Sequence, residues 1–275
     1  MQGTDALDPW IDPTKFFSAS TMQNITGQAN PTDDQFRTSL KQLYASINVK
    51  LLVSAFGAGD YPTKTYDPVT LGTQIAQFVV KYQLDGIDID WEDSSAFQSG
   101  DGTGEYWLSN LTSTMRSNLP SSSIITHAPQ APYFMGKNTY AAGAYLYIDN
   151  AVGNDINWYN IQFYNQGSSS YDSFQTLFVT SNGWSTHSSV YQMINGNNDM
   201  QIKISSDKIV VGKPCSQGDA DNTGYVAPNS LETIFNQAIK QSNGVQWNAG
   251  FMDWQFSTDI DENFNFANTV SKAWN

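Results

Sequence analysis

The chain has 275 residues, with 13 basic side chains against 26 acidic ones. Its formal net charge is −13, and only 14% of it is charged. So acidic a balance excludes a nucleic-acid or anionic-membrane surface, each of which needs clustered Lys and Arg. No apolar run reaches the roughly 18 residues of a membrane span.

Pro9 and Pro13 make the opening turn-like and bar a central strand there. Residues 16–22 are the one candidate for a short opening strand. A helix is predicted over 32–47, where Thr32 is the N-cap and Phe36, Leu40, Leu43, Tyr44 and Ile47 recur at helical spacing. Residues 50–56 read as a strand that runs into Gly57 and Gly59. A helix follows over 68–83, with Leu71, Ile75, Phe78 and Val79 on one side. Residues 84–93 form the next strand, 94–104 a loop with Gly100, Gly102 and Gly104, and 106–117 a helix. Beyond these, strands are predicted over 123–129, 159–165, 208–214 and 250–256. The intervening segments 145–152, 171–180, 230–241 and 263–274 read as helical. Strands that alternate with helices argue for a parallel sheet. No internal repeat or linker divides the chain, and its length fits a single domain over 1–275.

The stretch 84–93 reads Leu-Asp-Gly-Ile-Asp-Ile-Asp-Trp-Glu-Asp. Asp88, Asp90 and Glu92 are spaced by two, with Ile87, Ile89 and Trp91 at or between those positions. Strand side chains alternate, so one face carries three carboxylates and the other carries the apolar residues. Like charges about 7 Å apart, two rises of ~3.3 Å, repel strongly if all are ionised. Such a row shares protons, and one carboxyl stays protonated near neutrality, as a general acid requires. A half-buried strand with a wet acidic face has the same spacing. A calcium loop does not: its glycine is missing, and the intervening positions are bulky and apolar.

Asp85-Gly86-Ile87-Asp88-Ile89-Asp90-Trp91-Glu92 resembles the signature of glycoside hydrolase family 18, the chitinases and endo-β-N-acetylglucosaminidases. It matches Asp-Gly-x-Asp-x-Asp-x-Glu at all five fixed positions. The resemblance implies an α/β fold, a TIM (β/α)8 barrel with this stretch as its fourth strand and its chemistry at the C-terminal strand ends. Six strands are legible after residue 49, and the first two of the barrel are poorly defined.

The resemblance also implies roles for the site residues. Glu92 protonates the glycosidic oxygen. Asp90 orients the substrate's acetamido group, and Asp88 holds Asp90 by sharing a proton. Tyr164 donates to the acetamido oxygen, and Trp254 walls the sugar pocket. Gln162, Asn165, Gln130 and Phe56 are expected to line the substrate site. Phe56 is a departure, because Ser54-Ala55-Phe56-Gly57 has it where the family's Ser-x-Gly-Gly element has its first glycine. Gln130 falls in an Ala128-Pro129-Gln130 element like that of plant class III chitinases, and Tyr133 and Phe134 close behind it are expected to line the cleft as well.

His127 and His187, the only histidines, have no metal-ligand spacing, so neither metal nor cofactor is expected. In the acidic segment 218–224, the position where a calcium loop needs its last acid falls on Ser230, so a surface loop is expected.

The reaction implied is retaining, substrate-assisted cleavage of β-1,4 bonds between N-acetylglucosamine units by an endo-chitinase. Two alternatives stay open: an endo-β-N-acetylglucosaminidase acting on the chitobiose core of N-glycans, and a non-catalytic chitinase-like binding protein. The expected partner is chitin or an N-acetylglucosamine-containing oligosaccharide, with no nucleic acid and no membrane, and the chain is expected to be a monomer. A low-charge, aromatic-rich composition and the sequons at Asn24 and Asn110 suit a secreted protein. Residues 1–20 show no signal peptide, and the single Cys215 permits no disulfide within the chain.

Overall fold

The computed structural model describes residues 13–15, 17–167, 169–221, 223–240 and 246–275. Its centre is one sheet of six parallel strands in sequence order. They are β1 (Leu52–Phe56), β2 (Gly86–Asp90), β3 (Ile124–His127), β4 (Trp158–Gln162), β5 (Ile209–Pro214) and β6 (Phe251–Trp254). Among the described residues no strand pairs with the free edge of β1 or of β6. The wall is a curled half-barrel of TIM type, where the sequence led us to expect eight closed strands. The expected turn around Pro9 lies outside the described residues.

The candidate opening strand over 16–22 is a correction. Residue 16 lies outside the described residues, and 19–22 belong to a helix, Ala19–Thr26. Local chemistry decides this. Ser18 caps the helix by accepting from the Thr21 N–H at 3.1 Å, and Gly27 ends it at φ 71. Met22 then packs with Phe36 and Leu40 in a small satellite core outside the sheet.

The helices that follow start where their caps dictate. Asp33–Ser46 opens on a Thr32–Gln35 capping box. Pro68–Lys81 opens on Asp67, which accepts from the Thr70 N–H at 2.8 Å, with Pro68 in the first turn. The predicted loop over 94–104 holds a helix, Ser94–Gln98, that polarity alone hides. Phe97 is buried there against Trp91 and Tyr133, with ring centroids 4.5 and 5.1 Å away. Strands predicted over 159–165 and 250–256 stop early, at Gln162 and Trp254. A further helix, Val190–Asn195, begins on a Ser189–Gln192 capping box.

The core lies between the sheet and its helices. Ile87, Ile89 and Trp91, from the apolar face of the acidic strand, are at most 1% exposed. They share one apolar cluster with Ile75, Val79, Leu108, Leu111 and Ile125. Each such side chain contributes about 1.5–3 kcal/mol on burial. Gly86 lets this strand enter, because a Cβ there would stand 2.0 Å from the Ile124 carbonyl oxygen. Asp85 anchors the same end, accepting from the Leu51 N–H at 2.9 Å and pairing with Lys41 at 3.2 Å. Of the five motif positions, then, Asp85 and Gly86 serve the sheet, and the other three lie beyond them along the strand.

Candidate active site

Those three carboxylates line a cleft of about 650 Å³ at the C-terminal ends of the strands, within the range of about 300–1,000 Å³ usual for small-ligand sites. Of the residues expected at the site, Asp88, Asp90, Glu92, Tyr164, Asn165, Gln130, Gln162, Phe56 and Trp254 line it, whereas Tyr133 and Phe134 are buried in the apolar core instead.

The floor is built by register. Ser54 on β1 and Thr126 on β3 lie directly beside Asp88. Their hydroxyls donate to its carboxylate at 2.9 and 2.5 Å, and the Asn160 amide of β4 adds a third bond at 3.1 Å. Three donors from three strands fix Asp88 in one orientation. Sequence reading passed over Ser54, Thr126 and Asn160, although strand alternation carries the signal. Ser54 precedes Phe56 by two residues, and Asn160 precedes Gln162 by two, so each faces the same side as its successor.

Asp90 occupies the middle of the row. Burial pushes its pKa up to about 8, and the charges of Glu92 and then Asp88, with a hydrogen bond to Glu92, push in the same direction. Burial and its two acidic neighbours thus favour the protonated form at Asp90. Gln162 Nε2 donates to Asp90 Oδ1 at 3.0 Å, to Glu92 Oε1 at 3.3 Å and to the Ala128 carbonyl at 2.9 Å. Gln130 Nε2 donates to the other Glu92 oxygen at 3.0 Å. The two amides expected to line the substrate site thus grip the acid row, and Glu92 is oriented from both sides.

Tyr164 is 5% exposed, and its pKa is raised far above the usual value by burial and then by the charges of Asp90, Glu92 and Asp88. Its hydroxyl remains a donor throughout the working pH range. Asn165 follows at φ 64, a left-handed conformation that Asn tolerates, and its Oδ1 accepts from the Asp221 N–H at 2.9 Å. Trp254 stands at the mouth, 44% exposed.

Phe56 has φ 80, where glycine rests without strain and a bulky residue costs about 1–2 kcal/mol. That conformation explains why this position suits the glycine of the family element. The Phe56 ring meets Trp107 edge-on at 5.8 Å.

Asp219, Asp221 and Asp253 add to the lining, so that among the described residues six acids and no Lys, Arg or His face the cleft. His127 lies elsewhere, fully buried between Thr112 Oγ1 at 3.2 Å and the Tyr145 hydroxyl at 3.0 Å. Burial holds it neutral, with its pKa near 3. Among the described residues no three His, Cys, Asp or Glu side chains are grouped to hold a metal ion, and no helix is long and apolar enough to cross a membrane.

Comparison with known proteins agrees with this geometry. The chain is 26% identical to chitinase D of Niallia circulans over 87% of its own length, and 27% identical to a chitinase of Enterococcus faecalis over 86%. The alignments cover 51% and 67% of those two proteins, so the chain spans about half the length of the first. Among solved structures it is similar to a family 18 chitinase from Pseudoalteromonas aurantia. That pair is 32% identical with a TM-score of 0.68, covering 87% of this chain and 80% of the other. A fungal endo-β-N-acetylglucosaminidase of family 18 shares the fold at 19% identity and a TM-score of 0.54, over 89% of this chain and 77% of the other. The model of the Glycosyl hydrolases family 18 matches residues 14–273, nearly the whole chain, and the chain belongs to that family.

Proposed function

We propose that the protein is a retaining glycoside hydrolase that cuts β-1,4 bonds between N-acetylglucosamine units, acting as an endo-chitinase outside the cell. The observation that carries this reading is the row of Asp88, Asp90 and Glu92, with Asp88 pinned by three donors and Glu92 held by two amides, in a cleft shared with Tyr164 and Trp254. The catalysis follows from that arrangement. When the substrate's acetamido N–H reaches Asp90, the bridging proton moves to Glu92 and leaves Asp90 as an acceptor. Glu92 then protonates the glycosidic oxygen as the C1–O bond breaks. The acetamido oxygen closes on C1 to give an oxazolinium ion, whose positive nitrogen Asp90 offsets. Tyr164 donates to the acetamido oxygen and holds it under C1. Water next attacks C1 from the face the leaving group left, its proton passes to Glu92, and the amide re-forms with configuration retained.

The test is hydrolysis of chitin oligomers beside a high-mannose glycoprotein, with a thiazoline analogue of the cyclised sugar as inhibitor. Chitin oligomers should be shortened from within, and the thiazoline should compete. Release of intact N-glycans with chitin oligomers untouched would assign the endo-β-N-acetylglucosaminidase reaction instead. Binding of oligomers without turnover would assign a lectin.

A further inference from the structure

Lys213 lies on β5 with its side chain wholly buried, on the face of the strand turned away from the cleft. Its ammonium donates to three backbone carbonyls: Phe163 at 2.8 Å, Tyr171 at 2.8 Å and Gly224 at 2.9 Å. Among the described residues no carboxylate lies within ion-pair distance of it, although the charge of Asp172 acts on it from further off. All three N–H donors are thus spent on main chain, in a place where a buried charge is otherwise costly.

The three carbonyls belong to two loops. Phe163 immediately precedes Tyr164, and Tyr171 lies further along the same loop after β4. Gly224 belongs to the loop after β5, which carries Asp219 and Asp221 into the cleft. The loops also meet each other directly. Asn165 N–H donates to the Thr223 carbonyl at 2.8 Å, and Gly167 N–H to Thr223 Oγ1 at 3.1 Å. Gly224, at φ 106, is pressed so closely that a Cβ on it would stand 2.5 Å from both Cα and Cβ of Tyr164. Tyr164 therefore has the Lys213 anchor at its preceding carbonyl and the Gly224 backbone against its own Cα.

We infer that Lys213 is a positioning residue for the reaction: it clamps the two loops together from behind and so fixes Tyr164 within the cleft. The inference rests on the proposed role of Tyr164 and extends it to a side chain that never meets substrate. Replacing the ammonium by an apolar group of similar length leaves three carbonyls unmatched and lets Tyr164 drift. Displacement of a reacting or orienting group by about 1 Å costs on the order of 100-fold in rate.

The experiment is a double-mutant cycle on the full chain with a fluorogenic chitobioside, using Lys213→Met, Tyr164→Phe and both together. Folding is checked by circular dichroism. Lys213→Met should lower kcat by about 10- to 100-fold with KM little changed, and should add less than about threefold in the Tyr164→Phe background. Lys213→Gln, which keeps a side-chain donor for the carbonyls, should recover part of the lost kcat with the same non-additivity, and it decides the matter if Lys213→Met does not fold. Equal losses in both backgrounds, or a loss confined to thermal stability, would overturn the inference. A Tyr164→Phe variant with full activity would refute the role of the tyrosine itself and remove the basis for the inference, and that single-mutant arm identifies this case.

Discussion

Replacing Asp90 by Asn should stabilise the fold while it destroys turnover. Burial and two neighbouring acids raise the Asp90 pKa from 3.8 to about 8. Below about pH 4 the group is protonated in both folded and unfolded chains, so it adds no difference. Between pH 4 and 8 the unfolded chain loses the proton and the folded chain keeps it, so stability falls as pH rises and levels off above about 8. Four units at about 1.36 kcal/mol each set a ceiling near 5 kcal/mol for the full penalty. Titration is shared along the row, so the gain for one substitution is about 2–4 kcal/mol, or roughly 5–10 °C in Tm for a chain of this size. Asn supplies the same hydrogen bonds without a charge: its Oδ1 still accepts from Gln162 and its Nδ2 still donates toward Glu92. Thermal unfolding of both proteins at pH 4 and pH 8, alongside kcat, checks this. The variant should match the wild type at pH 4, exceed it at pH 8, and lose about 100-fold or more in kcat. Equal Tm values at pH 8, or the same gap at both pH values, would refute the placement of the proton.

Glu92→Gln should lower kcat by about 10²–10⁴-fold and leave oligosaccharide affinity nearly intact, as isothermal titration would read. Trp254→Ala should raise KM by about tenfold with little change in kcat, since stacking at the mouth serves both ground and transition states. Phe56→Gly should fall within about 1 kcal/mol of wild type in urea unfolding, because relief of about 1–2 kcal/mol of left-handed strain offsets the lost contact with Trp107. Phe56→Val keeps the strain, loses the ring and should cost more than about 2 kcal/mol.

The acidic strand was legible in the sequence because two periodic constraints coincide in it. Ile87, Ile89 and Trp91 had to go inward toward the helices, which left Asp88 and Asp90 no face but the cleft. The helix over 33–46 was legible because Thr32 marks its start, and that over 68–81 because Leu71, Ile75, Phe78 and Val79 recur on one side, its Asp67 cap emerging only in the structure. The helix Ser94–Gln98 was hidden because its stability comes from Phe97 packing under Trp91, a contact no local pattern encodes. The opening stretch misled because its apolar residues suit either a strand or a helix, and the Ser18 cap with Gly27 settled the matter. The roles of Gln130 and Gln162 were out of reach for another reason. Residue type marks an amide as a hydrogen-bonding group, and only the meeting of three strands shows that carboxylates take up its donors.

Among the described residues the cleft has six carboxyl groups on its lining and no cationic side chain. N-Acetylglucosamine also occurs in polymers where it alternates with uronic acids or carries sulfate, and those chains bear a negative charge every residue or two. Two unit charges 6 Å apart repel by about 3 kcal/mol at an effective dielectric near 20. Several such encounters along one bound chain should disfavour anionic polymers. A cleft of this charge should therefore favour uncharged amino-sugar polymers over anionic ones, a preference that raising the ionic strength should narrow.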